Sequence, residues 1–600
     1  MLAIIPKLDL THLARSLHLS RLSWFQLSLV FGGSALAFWK FAGCCAKWSR
    51  NAKLKGLIRK RRTEREDAIE RLKVQLTTSD AKVLEKRKWI VNLSTRELAD
   101  KLQKEELKPV EVLEAFQEAA LLAHEKTHCI CQLIVEARRW SVQLEQQYEG
   151  RDDKPALFGL PFSVKEHIGV KGYDATAGLA QFLFDPMSED GPLIARLRQL
   201  GAVPFVTTNI PQTCLSYNCS NPIYGTTTNP HSSKLTSGGS SGGEGALISF
   251  RGSAFGIGSD LAGSIRVPAH FCGIAGFKST SSRLSQMGGR KAMVGRCVIP
   301  SSWGPMANDV DTLVLFMEEV AHDKFFSMDT YIVPLPFRRD IYDSDKKLVI
   351  GYYDYDGLME AVPACRRAVR MAKEILEAKG HRLVKFAPPN VHKLFALSGK
   401  VLFIDGGHLF HNIVSKDVLD PNLVPMSYWL ALPVWAKRLL ARTLRLWGKK
   451  KLADHLGSFE TLTRDLGYAL GELFQCKYQF NVEWRRLNLD AVICPPCASV
   501  AMPNGLPHET IPAFMYTFLY NAVDYPAGVV PVTKVTAQDE LKTASEYTTN
   551  EHYAKLVQSC NTKGTVGLPV GVQCAAPTYN DEVCLRVMKE LEDGVRNMKA

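Results

Sequence analysis

The chain has 600 residues, a net charge of +13 and an ordinary balance of 46% apolar and 22% charged residues. This composition excludes a mainly disordered chain, a collagen-like repeat and a polytopic membrane protein, and the length suffices for a large core. The positive charge does not indicate nucleic-acid binding, because residues 1–65 hold thirteen Lys or Arg against two acidic residues. We therefore expect no nucleic-acid partner.

The N-terminal segment, residues 1–46, contains an uncharged apolar stretch at 22–39. A helix needs about 20 residues to cross a bilayer, and Trp24 and Trp39 lie near the ends of this stretch, as interfacial aromatics do. The pattern favours a single transmembrane anchor, while an interfacial helix and a signal peptide stay open as alternatives. The more basic C-terminal flank predicts, by the positive-inside rule, an integral single-pass protein with a cytosolic catalytic domain, which we place on an endomembrane.

Residues 47–90 are predicted to be a basic helical linker, because apolar residues recur there at helical spacing among charges. The capping box that runs from Ser94 to Glu97 predicts the start of a further amphipathic helix. These elements indicate packing and linking roles, and their residues suggest no chemistry.

Residues 91–600 are predicted to form one large catalytic domain. From about residue 155 small residues become dense and short apolar runs appear. Val203–Val206 and Phe255–Gly258 are typical of strands, and Leu193–Leu200 is typical of a helix. Short strands that alternate with helices predict the α/β class.

Two glycine-rich segments, Ser237–Gly245 and Gly256–Pro268, are the strongest local signal. Glycine permits positive φ and close backbone approach, so a serine after such a turn can lie beside converging N–H groups, as an oxyanion hole requires. Flexible linkers or a phosphate-binding loop are the alternatives, but the GxxxxGK[ST] motif is missing. The GxSxG pattern at 238–242 is not expected to be a nucleophile elbow, because the preceding residues are polar and turn-prone rather than strand-like.

On these segments the chain resembles the amidase signature family of serine hydrolases, and within it the membrane-anchored members that act on fatty acid amides. The resemblance covers about residues 90–600 and implies a large mixed, twisted sheet with helices on both faces. It further implies a helical membrane-binding cap, a homodimer and no cofactor or metal. Other blocks that match the family in order are Leu157–Glu166, Gly201–Gln212, Gly304–Ala307, Asp524–Val532 and Gly567–Gln573.

The resemblance implies a Ser-Ser-Lys triad. Ser264 is the expected nucleophile, Ser240 the bridging serine on a cis peptide, and Lys165 the base and acid. The chemistry is coherent, because burial can lower the pKa of a lysine from about 10.4 by up to about 3–5 units and a serine needs a base to become nucleophilic. From the residues alone, a surface salt bridge between Lys165 and Glu166 would be the simpler interpretation.

The same resemblance implies an oxyanion hole made of backbone N–H groups. One position departs from the fatty-amide enzymes, which usually have a second glycine where this chain has Ala262. Backbone donors survive that change if φ is permitted, so we expect activity to persist. The four residues are Leu261, Ala262, Gly263 and Ser264.

Neighbours of the triad have expected supporting roles. Ser241 is expected to hydrogen-bond Lys165, and Asp260 to orient the loop that carries the nucleophile. His167 and His270 lie near the motifs, but the mechanism needs neither, so we expect both to be packing residues.

Residues 423–452 form a second membrane-like feature. An apolar segment with a proline break is followed by basic residues interleaved with leucines and tryptophans, which indicates a pair of interfacial amphipathic helices. A calmodulin-target-like or RNA-binding helix and an ordinary surface helix stay open. In the fatty-amide enzymes a helical cap at this place enters the bilayer. The residues expected to form the cap surface are Trp429, Trp435, Lys437, Arg438, Arg442, Arg445 and Trp447.

The leading hypothesis is a membrane-bound serine amidase. It would cleave fatty acid amides, such as N-acylethanolamines and primary fatty amides, to a free fatty acid and an amine through an acyl-enzyme. An amidotransferase-type amidase of another substrate class is one alternative, although such relatives look soluble. A catalytically inactive membrane scaffold is another, which the presence of all three triad residues disfavours.

Overall fold

The computed structural model describes residues 24–292, 298–458, 463–547 and 551–598, with side chains from residue 47 onward except at 463 and 464. The chain divides into two compact units, Met1–Leu57 and Ile58–Ala600. In the first unit the backbone is helical from Trp24. The predicted anchor, residues 22–39, lies outside the residues whose side chains are described and stays a prediction. Across the described part of the chain, no helix combines the length and apolar character needed to cross a membrane.

A mixed β-sheet lies in the second unit. The strands are β1 (Ile130–Leu133), β2 (Pro161–Lys165), β3 (Val203–Thr208), β4 (Ser220–Asn221), β5 (Gly225–Thr226), β6 (Thr228–Asn229), β7 (Ser232–Thr236), β8 (Phe255–Asp260), β9 (Ala275–Lys278), β10 (Ser302–Ala307), β11 (Val349–Tyr352), β12 (Arg382–Lys385), β13 (Ala491–Cys494), β14 (Ala527–Lys534) and β15 (Pro569–Ala575). Within the described residues, eleven of them form one sheet in the order β1-β3-β2-β8-β10-β9-β14-β15-β13-β11-β12. The short strands pair as two ribbons, β4-β5 and β6-β7.

Helices of the second unit flank this sheet, and the described residues of the whole chain form 22 α-helices. They are α1 (Trp24–Leu76), α2 (Ala81–Asn92), α3 (Thr95–Gln103), α4 (Pro109–Thr127), α5 (Ala137–Tyr148), α6 (Pro192–Gln199), α7 (Gly242–Ser249), α8 (Arg266–Cys272), α9 (Val310–Val320), α10 (Asp323–Phe326), α11 (Arg339–Tyr342), α12 (Pro363–Ala378), α13 (Val391–Leu402), α14 (His408–Val414), α15 (Val424–Ala431), α16 (Val434–Leu446), α17 (Lys450–Gly457), α18 (Thr463–Arg486), α19 (Met515–Ala522), α20 (Ala537–Ser545), α21 (His552–Asn561) and α22 (Asp581–Asn597). The predicted α/β class is therefore confirmed.

Local sequence signals explain where several elements lie. Ser94 accepts a hydrogen bond from the Glu97 N–H while the Glu97 side chain accepts from the Ser94 N–H, so the predicted capping box is confirmed at the start of α3. The two runs predicted as strands lie in β3 and β8, and the predicted helix is α6. Every residue of β3 and β8 is buried, as expected of strands covered on both faces.

The sheet brings the ends of two strands to one place. β2 and β8 are parallel neighbours, with Val164 opposite Ile257. Parallel strands end at the same edge of a sheet, so the C-terminal residues of β2 and β8, Lys165 and Asp260, lie at that edge. The turn that follows β8 and leads into α8 contains Ser264, and α7 begins just after Ser240.

Candidate active site

Lys165 is the last residue of β2 and is fully buried. Its Nζ donates to Ser240 Oγ at 2.7 Å and to Ser259 Oγ at 2.8 Å, and lies 3.3 Å from the Ser259 carbonyl oxygen. The Glu166 carboxylate instead accepts hydrogen bonds from the N–H groups of Thr176 and Ala177. The interpretation of Lys165 as a surface residue in a salt bridge with Glu166 is therefore wrong. The lysine amine instead forms hydrogen bonds with the hydroxyls of Ser240 and Ser259.

The environment of Lys165 disfavours its charge. Burial lowers the pKa of Lys165 to about 8, while the neighbouring Cys214 and Asp260 oppose this shift. Two apolar residues of the same strand, Phe162 and Val164, are fully buried. At mildly alkaline pH, Lys165 is consequently a neutral amine in a substantial fraction of the protein molecules. A neutral amine can accept a proton.

Ser240 follows β7 and is joined to Gly239 by a cis peptide bond. Only glycine fits at 239, because a Cβ there would lie 2.4 Å from the Ser216 carbonyl oxygen. The expectation that no strand precedes the GxSxG pattern was wrong, because β7 ends at Thr236. However, β7 belongs to a two-stranded ribbon with β6, and Ser240 bonds to Lys165. The arrangement differs from a nucleophile elbow in both respects.

Ser264 lies on the turn between β8 and α8 with 7% of its surface exposed. The Ser241 N–H donates to the Ser264 carbonyl at 3.0 Å and so ties this turn to the segment that carries Ser240. Ser264 Oγ has no hydrogen-bond partner among the described residues, so Ser240, the predicted bridging serine, contacts Lys165 but not Ser264 in this state. Catalytic hydrogen bonds of this kind commonly tighten only when a substrate is bound.

The predicted oxyanion hole is partly occupied. The Gly263 N–H donates to Asp260 Oδ1 at 2.7 Å, so it is not available to a substrate in this state. Three of the four predicted donors have no acceptor within the described chain, and they lie on the turn that carries Ser264, the predicted nucleophile. These donors are the N–H groups of Leu261, Ala262 and Ser264.

The shape of this turn explains its small residues. Gly263 has φ +117°, and a Cβ there would lie 2.3 Å from Thr517 Oγ1. Ala262 is not among the described residues with positive φ, so its methyl group causes no backbone strain. Its carbonyl accepts hydrogen bonds from Tyr217 Oη at 2.6 Å and from Thr517 Oγ1 at 2.9 Å. The alanine is therefore compatible with the geometry.

A fully buried ion pair anchors the turn. Arg266 donates to the Asp260 carboxylate through Nε at 3.0 Å and Nη2 at 2.9 Å, and Asn521 Nδ2 donates at 2.9 Å. The same carboxylate accepts the Ile265 N–H at 3.1 Å. Burial alone would raise the pKa of Asp260, but Arg266 and these hydrogen bonds outweigh it and hold the pKa well below its usual range. Asp260 therefore orients the turn, as predicted.

Two residues near Lys165 differ from expectation. Ser241 Oγ contacts the Ser259 main chain, at 3.3 Å from N and 3.4 Å from O, instead of Lys165. His167 Nε2 lies 2.8 Å from Ser259 Oγ, so the buried ring makes a side-chain hydrogen bond that its expected packing role did not include. His270 is structural, since its ring bonds only to main-chain groups within the described residues.

Comparisons with known proteins identify the family of this chain. The Amidase family model matches residues 111–585. The chain belongs to the amidase signature family. Fatty acid amide hydrolase 1 of Caenorhabditis elegans is 39% identical over 539 residues, which cover 88% of this chain and 93% of that protein. Fatty-acid amide hydrolase 1 of Sus scrofa is 37% identical over 584 residues, 93% of this chain and 96% of that protein. A solved structure of a fatty acid amide hydrolase has a TM-score of 0.72 at 28% identity and covers 90% of both chains.

The predicted cap of this amidase consists of α15 and α16, separated at Pro433. Large apolar side chains point to solvent here, as in Trp435 and Trp447, each 70% exposed. One predicted cap residue is wrong: Lys437 is 2% exposed and donates to the Leu430 carbonyl at 3.1 Å, so it caps the preceding helix. Trp429 is half-buried against a small apolar cluster that includes Leu430.

The arginines of this region differ in their surroundings. Arg438 lies 3.4 Å from Asp465, and Arg445 lies 2.7 Å from Asp454. Arg442 is exposed. Exposed ion pairs contribute little to stability and leave guanidinium groups within reach of an anionic surface.

Proposed function

We propose that this amidase hydrolyses fatty acid amides to a fatty acid and an amine through an acyl-enzyme on Ser264. The observation that carries the reaction is the 2.7 Å hydrogen bond between buried Lys165 and Ser240, beside a turn that carries Ser264 and unpaired N–H groups. The lipid substrate class is supported by the similarity to fatty acid amide hydrolases over about nine-tenths of the chain.

The proposed proton route uses the observed hydrogen bond between Lys165 and Ser240 and requires Ser264 Oγ to approach Ser240 when substrate binds. Neutral Lys165 takes the Ser240 hydroxyl proton while Ser240 Oγ takes the proton of Ser264 Oγ, which attacks the amide carbon. The negative charge that forms on the carbonyl oxygen is stabilised by the N–H groups of Leu261, Ala262 and Ser264. The proton then returns through Ser240 to the leaving nitrogen, because an amine anion is a poor leaving group. Water later releases the fatty acid from Ser264.

The substrate class is tested by a series of amides of one headgroup and increasing acyl length. We expect kcat/KM to rise with length, by at most about fourfold per methylene, because each buried CH₂ is worth about 0.8 kcal/mol. Purified full-length protein would be assayed on acetyl, octanoyl and oleoyl ethanolamide and on glutamine. A preference for the acetyl amide or glutamine would contradict the lipid assignment and favour an amidase of another class, while complete inactivity with no fluorophosphonate labelling would favour a scaffold.

We propose that the exposed side chains of α15 and α16 contact a lipid surface. The cap surface combines large apolar groups with the guanidinium groups of Arg438, Arg442 and Arg445, as interfacial helices do. Such a surface would let an insoluble substrate enter from the bilayer. The single-pass anchor, the cytosolic catalytic domain and the homodimer stay predictions. The apolar groups of this surface are Tyr428, Trp435, Leu439, Leu440, Leu446 and Trp447.

The cap surface is tested by comparing the same amide in anionic vesicles and in detergent. In the triple variant Trp435→Ser, Leu439→Ser and Trp447→Ser, we expect turnover in vesicles to fall roughly tenfold, because apolar area that binds the bilayer is lost. Turnover in detergent should stay within about twofold. The control is Leu541→Ser, which removes a 64% exposed leucine from α20. Equal losses in both media would contradict the membrane contact.

A further inference from the structure

Among the described residues, three hydrogen-bond partners surround the Lys165 amine. They are the hydroxyls of Ser240 and Ser259, at 2.7 and 2.8 Å, and the Ser259 carbonyl oxygen, at 3.3 Å. A protonated lysine can donate a hydrogen to each of them. A neutral amine has two hydrogens and one lone pair, so one of the three partners must donate to it. A carbonyl cannot donate, which leaves the two hydroxyls as competitors for the lone pair.

Only one outcome of this competition allows catalysis. The lone pair must face the Ser240 hydroxyl, because Lys165 has to remove the Ser240 proton. If Ser259 donates to the lone pair instead, the base is occupied by a group outside the proton route. The direction of the Ser259 proton therefore decides whether neutral Lys165 is a competent base.

His167 lies where it can fix that direction. Its Nε2 is 2.8 Å from Ser259 Oγ, and the buried ring forms a T-shaped pair with Trp303, with the ring centroids 6.1 Å apart. Resting on the function proposed above, we propose that His167 is a positioning residue. The Ser259 hydroxyl donates a hydrogen bond to Nε2 of neutral His167, so Ser259 Oγ accepts from Lys165 and the lysine lone pair faces Ser240.

The charges around the site agree with a neutral ring. Burial lowers the pKa of His167 well below its usual range, and the positive charges of Lys165 and Lys291 lower it further, while main-chain hydrogen bonds to Arg290 and to His167 itself oppose the shift. The other titratable groups that act on Lys165 are Asp260, Glu244, Cys214 and Cys219. The ring therefore acts through an acceptor nitrogen and not through a charge.

The test compares His167→Phe, His167→Gln and the double variant His167→Phe with Ser259→Ala. We expect His167→Phe to lower kcat for amides roughly 10- to 100-fold with KM within about twofold, because Ser259 then competes for the lone pair. His167→Gln keeps an acceptor and should retain most of the activity. The double variant removes the competing hydroxyl and should be several-fold more active than His167→Phe. The control is His270→Phe, which replaces a buried histidine outside the contacts of Lys165.

The pH dependence and a second assay separate the possible outcomes. The deficit of His167→Phe should persist at high pH, since the neutral lysine is the form that is misdirected. A deficit that shrinks at high pH, or a double variant no more active than His167→Phe, would overturn the proposal. If His167→Phe does not fold, His167→Leu with and without Ser259→Ala gives the same comparison, because leucine also lacks a hydrogen-bond acceptor. The rate of fluorophosphonate labelling is measured in parallel, so a wrong substrate class would leave the labelling differences intact.

Discussion

Replacing Ser264 by alanine is expected to abolish amide hydrolysis, with kcat lowered roughly 10⁴- to 10⁶-fold. The turn that carries Ser264 holds three unpaired N–H groups, and its hydroxyl is the one candidate nucleophile on that turn. Without Oγ no acyl-enzyme can form, and only substrate binding and the N–H donors would remain. Fatty acid release and fluorophosphonate labelling should be lost together, while the melting temperature stays within a few degrees.

The control for this substitution is Ser249→Ala. Ser249 lies on α7, and its Oγ donates to the Cys272 carbonyl at 2.9 Å, so the change removes a structural hydrogen bond worth about 1 kcal/mol. We expect nearly full activity from it. If Ser264→Ala kept more than about a hundredth of the amidase activity with an intact fold, Ser264 could not be the nucleophile.

Much of the site could be predicted because short motifs carry it. Lys165, Ser240 and Ser264 each lie in a segment of distinctive composition, and the resemblance assigns their order. Ser259 and His167 could not be found in this way. Serines are frequent throughout the glycine-rich segments, and the contact between Ser259 Oγ and His167 Nε2 exists only because β2 and β8 end side by side.

The cap shows a different limit of the sequence. Its composition predicts two amphipathic helices, and two helices, α15 and α16, lie in this segment, but only α16 carries charged residues. The sequence does not show which basic side chain of α16 faces the protein, because this depends on the carbonyl groups at the end of α15. Lys437 donates to the Leu430 carbonyl because α15 ends just before Pro433, leaving carbonyl groups without an intrahelical partner. The order of strands in the sheet is likewise set by long-range pairing, which spacing along the chain does not reveal.

Replacing Lys165 by alanine is expected to lower kcat for amides roughly 10²- to 10⁴-fold at pH 8, the range attributed to a general base or acid. Esters should suffer less, because an alkoxide leaves with less help from a proton than an amine anion does. In the wild type kcat/KM should rise as the pH rises through about 8, since only the neutral amine accepts a proton and burial lowers the lysine pKa to that value. With the pKa at about 8, roughly a tenth of the side chains are neutral at pH 7, against roughly one in three thousand for an exposed lysine.

The control for Lys165 is Lys165→Arg, which keeps hydrogen-bond donors toward Ser240 and Ser259 but stays charged throughout the working range. It should be inactive at every pH between 6 and about 10, whereas the deficit of Lys165→Ala should shrink at high pH as hydroxide takes over the role of the base. Rate profiles of both variants and the wild type, on one amide and its matching ester, provide the measurement. An inflection near pH 8 that persists in Lys165→Ala would assign the titrating base to another group. If Lys165→Ala loses that inflection and Lys165→Arg is inactive throughout this pH range, the lysine amine is the group that activates Ser240 and Ser264.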